Sequence, residues 1–349
     1  MKLIQRRVSP ADSPLAIAAS MGFAVLAALL ITSLLFSLYR ANPLTAYIAL
    51  LREPFGSLRG FGYTLVRTAP LTLIALGTIV SWRSGFGYLG FEGCSVIGAA
   101  ASAWLALFTS ISSWVFLPAV LLLSFAAGAV WAGVVALLRA RFGGNEVLIS
   151  LMTNYIAILL VQYLVSGPMR ASGGVPETAL LPRATWLRFI LPGTRAHSGI
   201  LLALVAACVV WVLLRKTAVG YELIVSGLSP SAARFAGINV GRRLILAAVC
   251  AGGLGAWAGT VEILGEQHRL MDGISGGVGF TGIIVALLAR LNPLAVVPAA
   301  ILYGGMTVGA NAMQRRAGIP SSITFILQSL IVLMVLASDL FRRYRVNLT

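Results

Sequence analysis

Long apolar runs fill most of the chain and are separated by short stretches that carry charge, proline or glycine. A helix needs about 20 apolar residues to cross the roughly 30 Å hydrocarbon core of a bilayer. Runs near that length lie at residues 16–39, 64–82, 88–108, 115–138, 147–166, 198–214, 244–264, 280–290 with its flanks, 293–312 and 322–341. The pattern therefore predicts an all-α polytopic protein with about ten transmembrane helices, forming one transmembrane domain over residues 1–349.

Two short patterns recur in the two halves of the chain. Gly-Phe-x-Gly heads an apolar run at Gly90–Gly93 and again at Gly279–Gly282, and Gly-x4-Gly followed by basic residues occurs within 126–141 and 302–316. The spacing predicts that helices 2–5 correspond to helices 7–10. With ten crossings, the first Gly-Phe-x-Gly lies at the cytoplasmic face and the second at the outer face, which makes the repeat inverted, a plan common in transporters. Chance recurrence in a chain with 37 glycines is the alternative.

Both Gly-Phe-x-Gly patterns end a glycine-rich stretch, residues 84–93 and 272–282. Glycine lowers helix propensity, so these stretches place irregular backbone at membrane depth, where protein or water must satisfy its polar groups. They are either unwound elbows that line a translocation cavity or sites of close helix packing through small residues.

Composition and charge agree with a membrane location. Of the 349 residues, 59% are hydrophobic and 10% are charged, well away from the values of a soluble domain. The net charge of +16 comes from cations scattered through short loops, without a basic patch interleaved with aromatic residues, so we expect lipid headgroups rather than nucleic acid as the partner. We interpret the first apolar run, residues 16–39, as a retained transmembrane helix and not as a cleaved signal peptide. Basic residues near both termini predict a multi-pass protein of the cytoplasmic (inner) membrane with both termini cytoplasmic.

Residues 215–243 form a predicted cytoplasmic loop that stays polar between two apolar blocks. Ser229 and Pro230 suit the start of a short helix, and Gly237 suits its end. The helix is expected to present a flat face of small residues. The candidate docking residues of this loop are Gly220, Tyr221, Glu222, Ser229, Pro230, Ser231, Ala232, Ala233, Arg234, Ala236 and Gly237.

This loop resembles the coupling loop of permease subunits of ATP-binding-cassette (ABC) importers, which reads Glu-Ala-Ala, three residues, then Gly. Here Ser231 replaces the glutamate. With residues 90–99, 145–157, 279–305 and 318–333, the chain is similar to the simple-sugar and nucleoside (ribose-permease-like) branch over roughly residues 60–345. The resemblance implies a cytoplasmic ABC ATPase that binds ATP and Mg²⁺, an extracytoplasmic solute-binding protein and a second permease subunit. The resemblance of stretch 145–157 implies nucleosides as the solute, with simple sugars as the alternative.

Polar or glycine residues inside the apolar runs are candidates for the substrate pathway. Glu92 can bind a substrate hydroxyl, carry a proton, or be held by a backbone elbow or by Arg83. Asn154, Tyr155 and Gln162 form a polar stripe that suits hydrogen bonding to a neutral ligand or to a neighbouring helix. The full candidate set is Phe91, Glu92, Gly93, Asn154, Tyr155, Gln162, Phe280 and Gly282.

Residues 167–197 form the longest region outside the predicted spans and are expected to be extracytoplasmic. Trp186, Leu187, Phe189 and Ile190 predict a short interfacial helix, and nearby arginines suit either an acidic binding protein or anchoring at the membrane surface. Arg170, Arg183, Arg188 and Arg195 are those arginines.

The sequence lacks the residue patterns that nucleotide binding and metal binding require. There is no Gly-x4-Gly-Lys-Ser/Thr phosphate loop, so we expect no enzymatic activity and no cofactor bound by this chain. Neither histidine, His197 or His268, has a metal-ligand neighbour at helical spacing, so no metal site is predicted. An ion-coupled secondary transporter remains the main alternative, and a scaffold or export component is the third.

Overall fold

The computed structural model describes residues 2–5, 22–23, 26–34, 36, 42–109, 112–318 and 321–347. Residues 26–34 are helical. The helices that follow are α1 (Pro43–Phe55), α2 (Leu58–Arg83), α3 (Phe91–Phe108), α4 (Ser113–Phe142), α5 (Glu146–Ser166), α6 (Gly199–Lys216), α7 (Ala218–Leu228), α8 (Pro230–Phe235), α9 (Val240–Glu262), α10 (Val278–Leu288), α11 (Val296–Ala317) and α12 (Ser321–Arg343). Arg183–Thr185 forms a 3₁₀ turn and Ile263–Gln267 a π turn, while strands β1 (Lys2–Gln5) and β2 (Tyr344–Asn347) pair antiparallel.

Seven helices in the described part of the chain are long and apolar enough to cross a membrane. They are Leu58–Arg83, Phe91–Phe108, Trp114–Phe142, Glu146–Ser166, Gly199–Lys216, Val240–Gln267 and Val296–Arg316. The runs expected at 64–82, 88–108, 115–138, 147–166, 198–214, 244–264 and 293–312 are thereby confirmed as helices of spanning length.

The remaining three runs give a different result. The run at 280–290 forms α10, which has 11 residues and rises about 16 Å, about half the bilayer core. The run at 322–341 forms α12, whose apolar part is Phe325–Met334. Most of the run at 16–39 lies outside the described residues.

The chain divides into two compact units. The first comprises Met1–Phe61 and Gly305–Thr349, and the second comprises Gly62–Gly304. In the first unit, Glu53 of α1 accepts a 2.8 Å hydrogen bond from Arg316, which pairs the end of α1 with the end of α11. Its core is a cluster of apolar side chains around Phe36, Leu50 and Leu327.

The second unit is built around α9, whose glycines allow neighbouring backbones to approach closely. A methyl group at Gly259 would lie 1.8 Å from the carbonyl oxygen of Ser95 in α3. A methyl group at Gly252 would lie 2.1 Å from the carbonyl oxygen of Gly128 in α4. Small residues therefore hold α3, α4 and α9 together, as they do in membrane helix bundles.

Ion pairs and hydrogen bonds define two ends of the second unit along α2. Near one end, Arg67 pairs with Glu262 and Glu266 at 3.1 and 2.8 Å; we call this the Arg67 end. At the other, the Arg83 end, Arg83 donates a 3.0 Å hydrogen bond to the carbonyl oxygen of Leu291. The two arginines are 16 positions apart in one helix, which corresponds to about 24 Å along its axis.

Candidate functional site

The two Gly-Phe-x-Gly segments meet inside the second unit. The backbone N–H of Gly279 donates a 2.7 Å hydrogen bond to the Glu92 carboxylate, and a methyl group at Gly279 would lie 2.3 Å from the Glu92 backbone nitrogen. The expectation that the first motif lies at one membrane face and the second at the other is therefore wrong. Two segments expected to be a bilayer apart are in direct contact.

The meeting point lies about halfway between the Arg67 and Arg83 ends. A methyl group at Gly77 of α2 would touch the Phe91 ring, and one at Gly282 would touch Ile74. From this point α10 runs towards the Arg83 end, where Leu291, three residues beyond the helix, accepts the hydrogen bond from Arg83. Helix α3 runs the other way, because Ser102 reaches Thr260 near the Arg67 end, at 3.0 Å. Helices α3 and α10 thus start at mid-height, halfway between the Arg67 and Arg83 ends, and run in opposite directions.

Glu92 holds the chain just before α10. Besides Gly279, the Gly277 N–H donates to its carboxylate at 3.0 Å and the Ser275 hydroxyl at 2.5 Å. Helix α10 begins after Gly277, which has no side chain to cap the first turn, so Glu92 supplies the negative charge that a helix N-terminus favours. Among the roles that the sequence left open for Glu92, the structure shows its carboxylate held by a backbone elbow. Arg83 instead bonds to Leu291.

Asn154 of α5 does the same for α3. Its side-chain oxygen accepts a 2.8 Å hydrogen bond from the Gly93 N–H, and its amide donates to the Leu89 carbonyl oxygen at 3.0 Å. Asn154 is 2% exposed and its neighbour Tyr155 is 64% exposed, so Asn154 faces the protein interior and Tyr155 does not. Gln162 is exposed and donates to Asp272 at 3.3 Å. The three residues of the predicted polar stripe therefore do not form one surface: Asn154 bonds to α3, Tyr155 is exposed, and Gln162 bonds to Asp272.

The other pathway candidates pack differently from one another. Phe91 is fully buried and contacts Tyr88 edge-on, with ring centroids 5.1 Å apart. Gly93 and Gly282 are close-packing positions against Asn154 and Ile74. Phe280 is 45% exposed. Phe91, Gly93 and Gly282 thus hold the meeting point together, and Phe280 has an exposed ring.

A cleft of about 230 Å³ opens beside the meeting point. Helices α3 and α5 form one side, and the segment before α10 forms the other. Its lining is Glu92, Val96, Ile158, Val161 and the consecutive residues 271–277. Sequence reasoning missed Asp272 and Ser275, although the glycine-rich stretch around them was a usable signal for irregular backbone facing a ligand.

The short helix predicted within residues 215–243 is confirmed as α8. The Ser229 hydroxyl accepts a 3.3 Å hydrogen bond from the Ala232 N–H, Pro230 is the first helical residue, and Gly237 follows the helix with φ +78°. The expected small-residue face is wrong at Ala233, which is fully buried beneath the helix. Ala236 is exposed, so the outer surface has one alanine fewer than predicted.

The residues around α8 form an exposed apolar surface at the Arg83 end. Phe235 is 95% exposed, Leu228 is 81% exposed and Tyr221 is 65% exposed. A methyl group at Gly227, at the end of α7, would lie 2.3 Å from the Arg83 carbonyl oxygen, which places this surface next to the end of α2. Glu222, expected to be available to a partner, is paired with Arg243.

Residues 167–197 are fastened to the Arg67 end. The N–H of Leu181 donates to the His268 carbonyl oxygen at 2.8 Å, and that of Leu187 donates to the Leu264 carbonyl oxygen at 3.0 Å. The predicted interfacial helix is wrong, because this part forms only a 3₁₀ turn before Trp186, whose ring stacks on His268 at 3.6 Å. The 167–197 segment and α8 therefore lie at opposite ends of the second unit.

Within the described residues, no group of three or more His, Cys, Asp or Glu side chains could hold a metal ion. His197 is buried and accepts a 3.2 Å hydrogen bond from the Gly199 N–H. Burial, with a smaller contribution from His268, lowers the pKa of His197 to about 4. We assign it a packing role at the Arg67 end.

Seven apolar helices of spanning length, with broken helices meeting at mid-height, define a multi-pass membrane protein. Residues 60–336 match the family described as the permease component of the branched-chain amino acid transport system, and the chain belongs to this family. Its members are transport subunits rather than enzymes, since the ATPase activity of the transporter lies in a separate subunit. Membership also implies a substrate-binding protein as a partner.

Three curated relatives cover most of the chain. The chain is 32% identical over 335 residues to the glucose ABC transporter permease protein TsgB13 of Haloferax volcanii, covering 93% of this chain and 88% of the relative. It is 33% identical over 303 residues to the guanosine ABC transporter permease protein NupP of Bacillus subtilis, covering 85% and 87%. It is 28% identical over 323 residues to the nucleoside ABC transporter permease protein NupB of Lactococcus lactis, covering 89% and 88%. The resemblance to sugar and nucleoside permeases is thus confirmed.

Proposed function

We propose that this chain is the membrane subunit of an ATP-driven importer of nucleosides. The observation that carries the proposal is the meeting of α3 and α10 at mid-height through Glu92 and Gly279. In transporters, helices broken near the bilayer midplane form the solute site, and alternating access occurs around it. Two of the three relatives described are permeases named for guanosine or nucleosides, which favours nucleosides, and the glucose relative keeps simple sugars as the alternative.

The inverted repeat and about ten spans form part of this proposal. In the first half, α2 ends at Arg83 and an irregular segment returns to mid-height before α3 begins. In the second, α9 ends at Glu262 and an irregular segment returns to mid-height before α10 begins. The two broken helices leave in opposite directions, as an inverted pair would. We place the Arg83 end, and both termini, on the cytoplasmic side.

Each end of the second unit then has its own partner. The surface around α8 docks the ATPase, which binds ATP and Mg²⁺, while this chain binds no cofactor. The 167–197 segment faces the extracytoplasmic solute-binding protein. A second permease subunit completes the assembly, and the relatives NupP and NupQ of Bacillus subtilis, both guanosine ABC transporter permease proteins, are consistent with a heterodimer.

The decisive experiment measures transport with the proton gradient removed. The permease is reconstituted in proteoliposomes with its ATPase and binding protein, the proton gradient is clamped to zero, and ATP-dependent entry of radiolabelled guanosine, adenosine and glucose is followed. We expect guanosine or adenosine entry that requires ATP. If entry disappears without a proton gradient although ATP is present, the ion-coupled alternative replaces the importer.

The ATPase-docking surface is tested by the Ala236→Glu substitution. Ala236 is exposed beside Phe235, so a charged side chain blocks a close apolar contact without burying a charge inside the permease. We expect loss of co-purification with the ATPase. Ala184→Glu, the same change on the exposed 167–197 segment, is the matched control and should co-purify normally. Equal co-purification of both variants would contradict the assignment.

The orientation is tested by single cysteines in a Cys-free background. Thr185→Cys and Pro230→Cys lie at opposite ends of the second unit, so an impermeant thiol reagent added outside intact cells should label only the first. Labelling of position 230 from outside would reverse the proposed orientation. Labelling of both positions from outside would contradict their placement on opposite sides of the membrane.

A further inference from the structure

The cleft beside Glu92 has one apolar wall and one wall of mixed polar and apolar residues. Val96 of α3 and Ile158 and Val161 of α5 form the apolar wall. The opposite wall is residues 271–277, in which the apolar Met271 and Ile274 alternate with Asp272, Ser275 and three glycines. Ligand sites commonly combine an apolar surface with a few convergent polar groups. A volume of about 230 Å³ is small for such a site and suits one ring rather than a large solute.

The mixed wall offers hydrogen-bond acceptors and carries no positive charge. None of the described residues that line the cleft is Lys, Arg or His. The carboxylate of Glu92 is occupied by Ser275, Gly277 and Gly279, so its role is to hold the loop in shape. Asp272, in contrast, is exposed and receives a 3.3 Å hydrogen bond from Gln162. A carboxylate in this setting accepts hydrogen bonds from hydroxyl or N–H groups and repels anions.

The glycines of this wall leave the backbone open to a ligand. Gly273 and Gly276 have φ angles of +71° and +53°, where an L side chain is strained. A methyl group at either position would meet nothing within 4 Å. The absence of side chains is therefore not required by packing inside the protein. It leaves room for another molecule to approach the main chain closely.

We propose that this cleft binds one ring of the transported solute, and that Asp272 is a specificity-determining residue. The ligand class is an uncharged sugar or nucleoside with hydroxyl or ring N–H donors on one edge and an apolar face. Its donors bond to Asp272, its apolar face contacts Ile158 and Val161, and a phosphorylated form is rejected by the negative charge. The inference rests on the proposed function and adds a location and a charge preference to it.

Matched tryptophan substitutions on α5 test whether the solute uses the cleft. Ile158 lines the cleft, whereas its neighbour Leu159 is 62% exposed and does not line it. We expect Ile158→Trp to lower ATP-dependent import in the reconstituted complex at least tenfold, with co-purification of the ATPase unchanged. Leu159→Trp should import within twofold of the unmodified protein. Equal import by the two variants overturns the inference while leaving the proposed function standing.

Direct occupancy is measured with Ile158→Cys in a Cys-free background, without the binding protein. Millimolar adenosine or glucose should slow thiol labelling at least threefold, and adenosine monophosphate should not. Adding Asp272→Asn should raise the protecting concentration about tenfold, because a hydrogen bond to a charged acceptor becomes one to a neutral acceptor. Labelling rates that no solute changes, or equal protection by the monophosphate, overturn the inference. A failure of the unmodified complex to import any uncharged solute instead overturns the proposed function itself.

Discussion

Replacing Glu92 with glutamine should loosen the start of α10. The carboxylate accepts three hydrogen bonds, from the Ser275 hydroxyl and from the N–H groups of Gly277 and Gly279. Glutamine keeps one oxygen but replaces the other with an NH₂ group, which cannot accept. At least one N–H then loses its partner, and the remaining bonds lose the charge on the acceptor.

The size of the effect follows from these contacts. Hydrogen bonds to a charged group contribute about 1.5–3 kcal/mol each, and a negative charge at a helix N-terminus contributes about 0.3–1 kcal/mol more. Losing one such bond and the charge therefore costs about 2–4 kcal/mol. At about 1.4 kcal/mol for each factor of ten, local opening becomes roughly 30 to 1,000 times more frequent.

Hydrogen exchange in nanodiscs, read by mass spectrometry, measures this opening. Peptides that cover residues 275–283 should exchange faster in Glu92→Gln by that factor, while peptides from α4 should be unchanged. The control is Glu222→Gln, which breaks a partly exposed ion pair with Arg243 and should leave residues 275–283 as they are. Unchanged exchange at 275–283 in Glu92→Gln would refute the capping role.

Three further predictions concern stability in detergent. Gly259→Ala should prevent stable folding, because the added methyl group would overlap the carbonyl oxygen of Ser95. Gly133→Ala, where nothing lies within 4 Å, is the control and should raise the unfolding temperature slightly. Equal effects in a thermal-shift assay would contradict the packing of α9. Arg67→Met leaves two carboxylates without their partner and should cost about 3–5 kcal/mol in denaturant unfolding, and a loss below 1 kcal/mol would argue against the cluster. Burial lowers the pKa of His197 from 6.5 to about 4, so between pH 6.5 and 4 the unfolded state binds more protons than the folded state. The free energy of unfolding should therefore fall by about 3 kcal/mol as the pH drops from 6.5 to 4. His197→Gln should remove this pH dependence from the unfolding profile.

Local signals in the sequence determined the features that depend on near neighbours. Long apolar runs give helices of spanning length because each backbone polar group bonds within its own helix. Helix α8 was predictable to the residue, since Ser229, Pro230 and Gly237 act on the turns that contain them. The family was also readable from sequence, because the matching segments occur in order along the chain.

The tertiary structure decided which broken segments meet. Glu92 and Ser275 are 183 positions apart, and no local pattern pairs them. Irregular backbone at membrane depth must find hydrogen-bond partners inside the protein. The N–H groups of Gly277 and Gly279 at the start of α10 therefore bond to Glu92, and that of Gly93 at the start of α3 bonds to Asn154. The tertiary structure also placed Asp272 beside Gln162, 110 positions away in the chain. It buried Ala233 while Ala236 stayed exposed, a difference that helical spacing alone did not predict. Helical spacing sets the helix, but only packing against residues far away in sequence decides which side chains face a partner or a cleft.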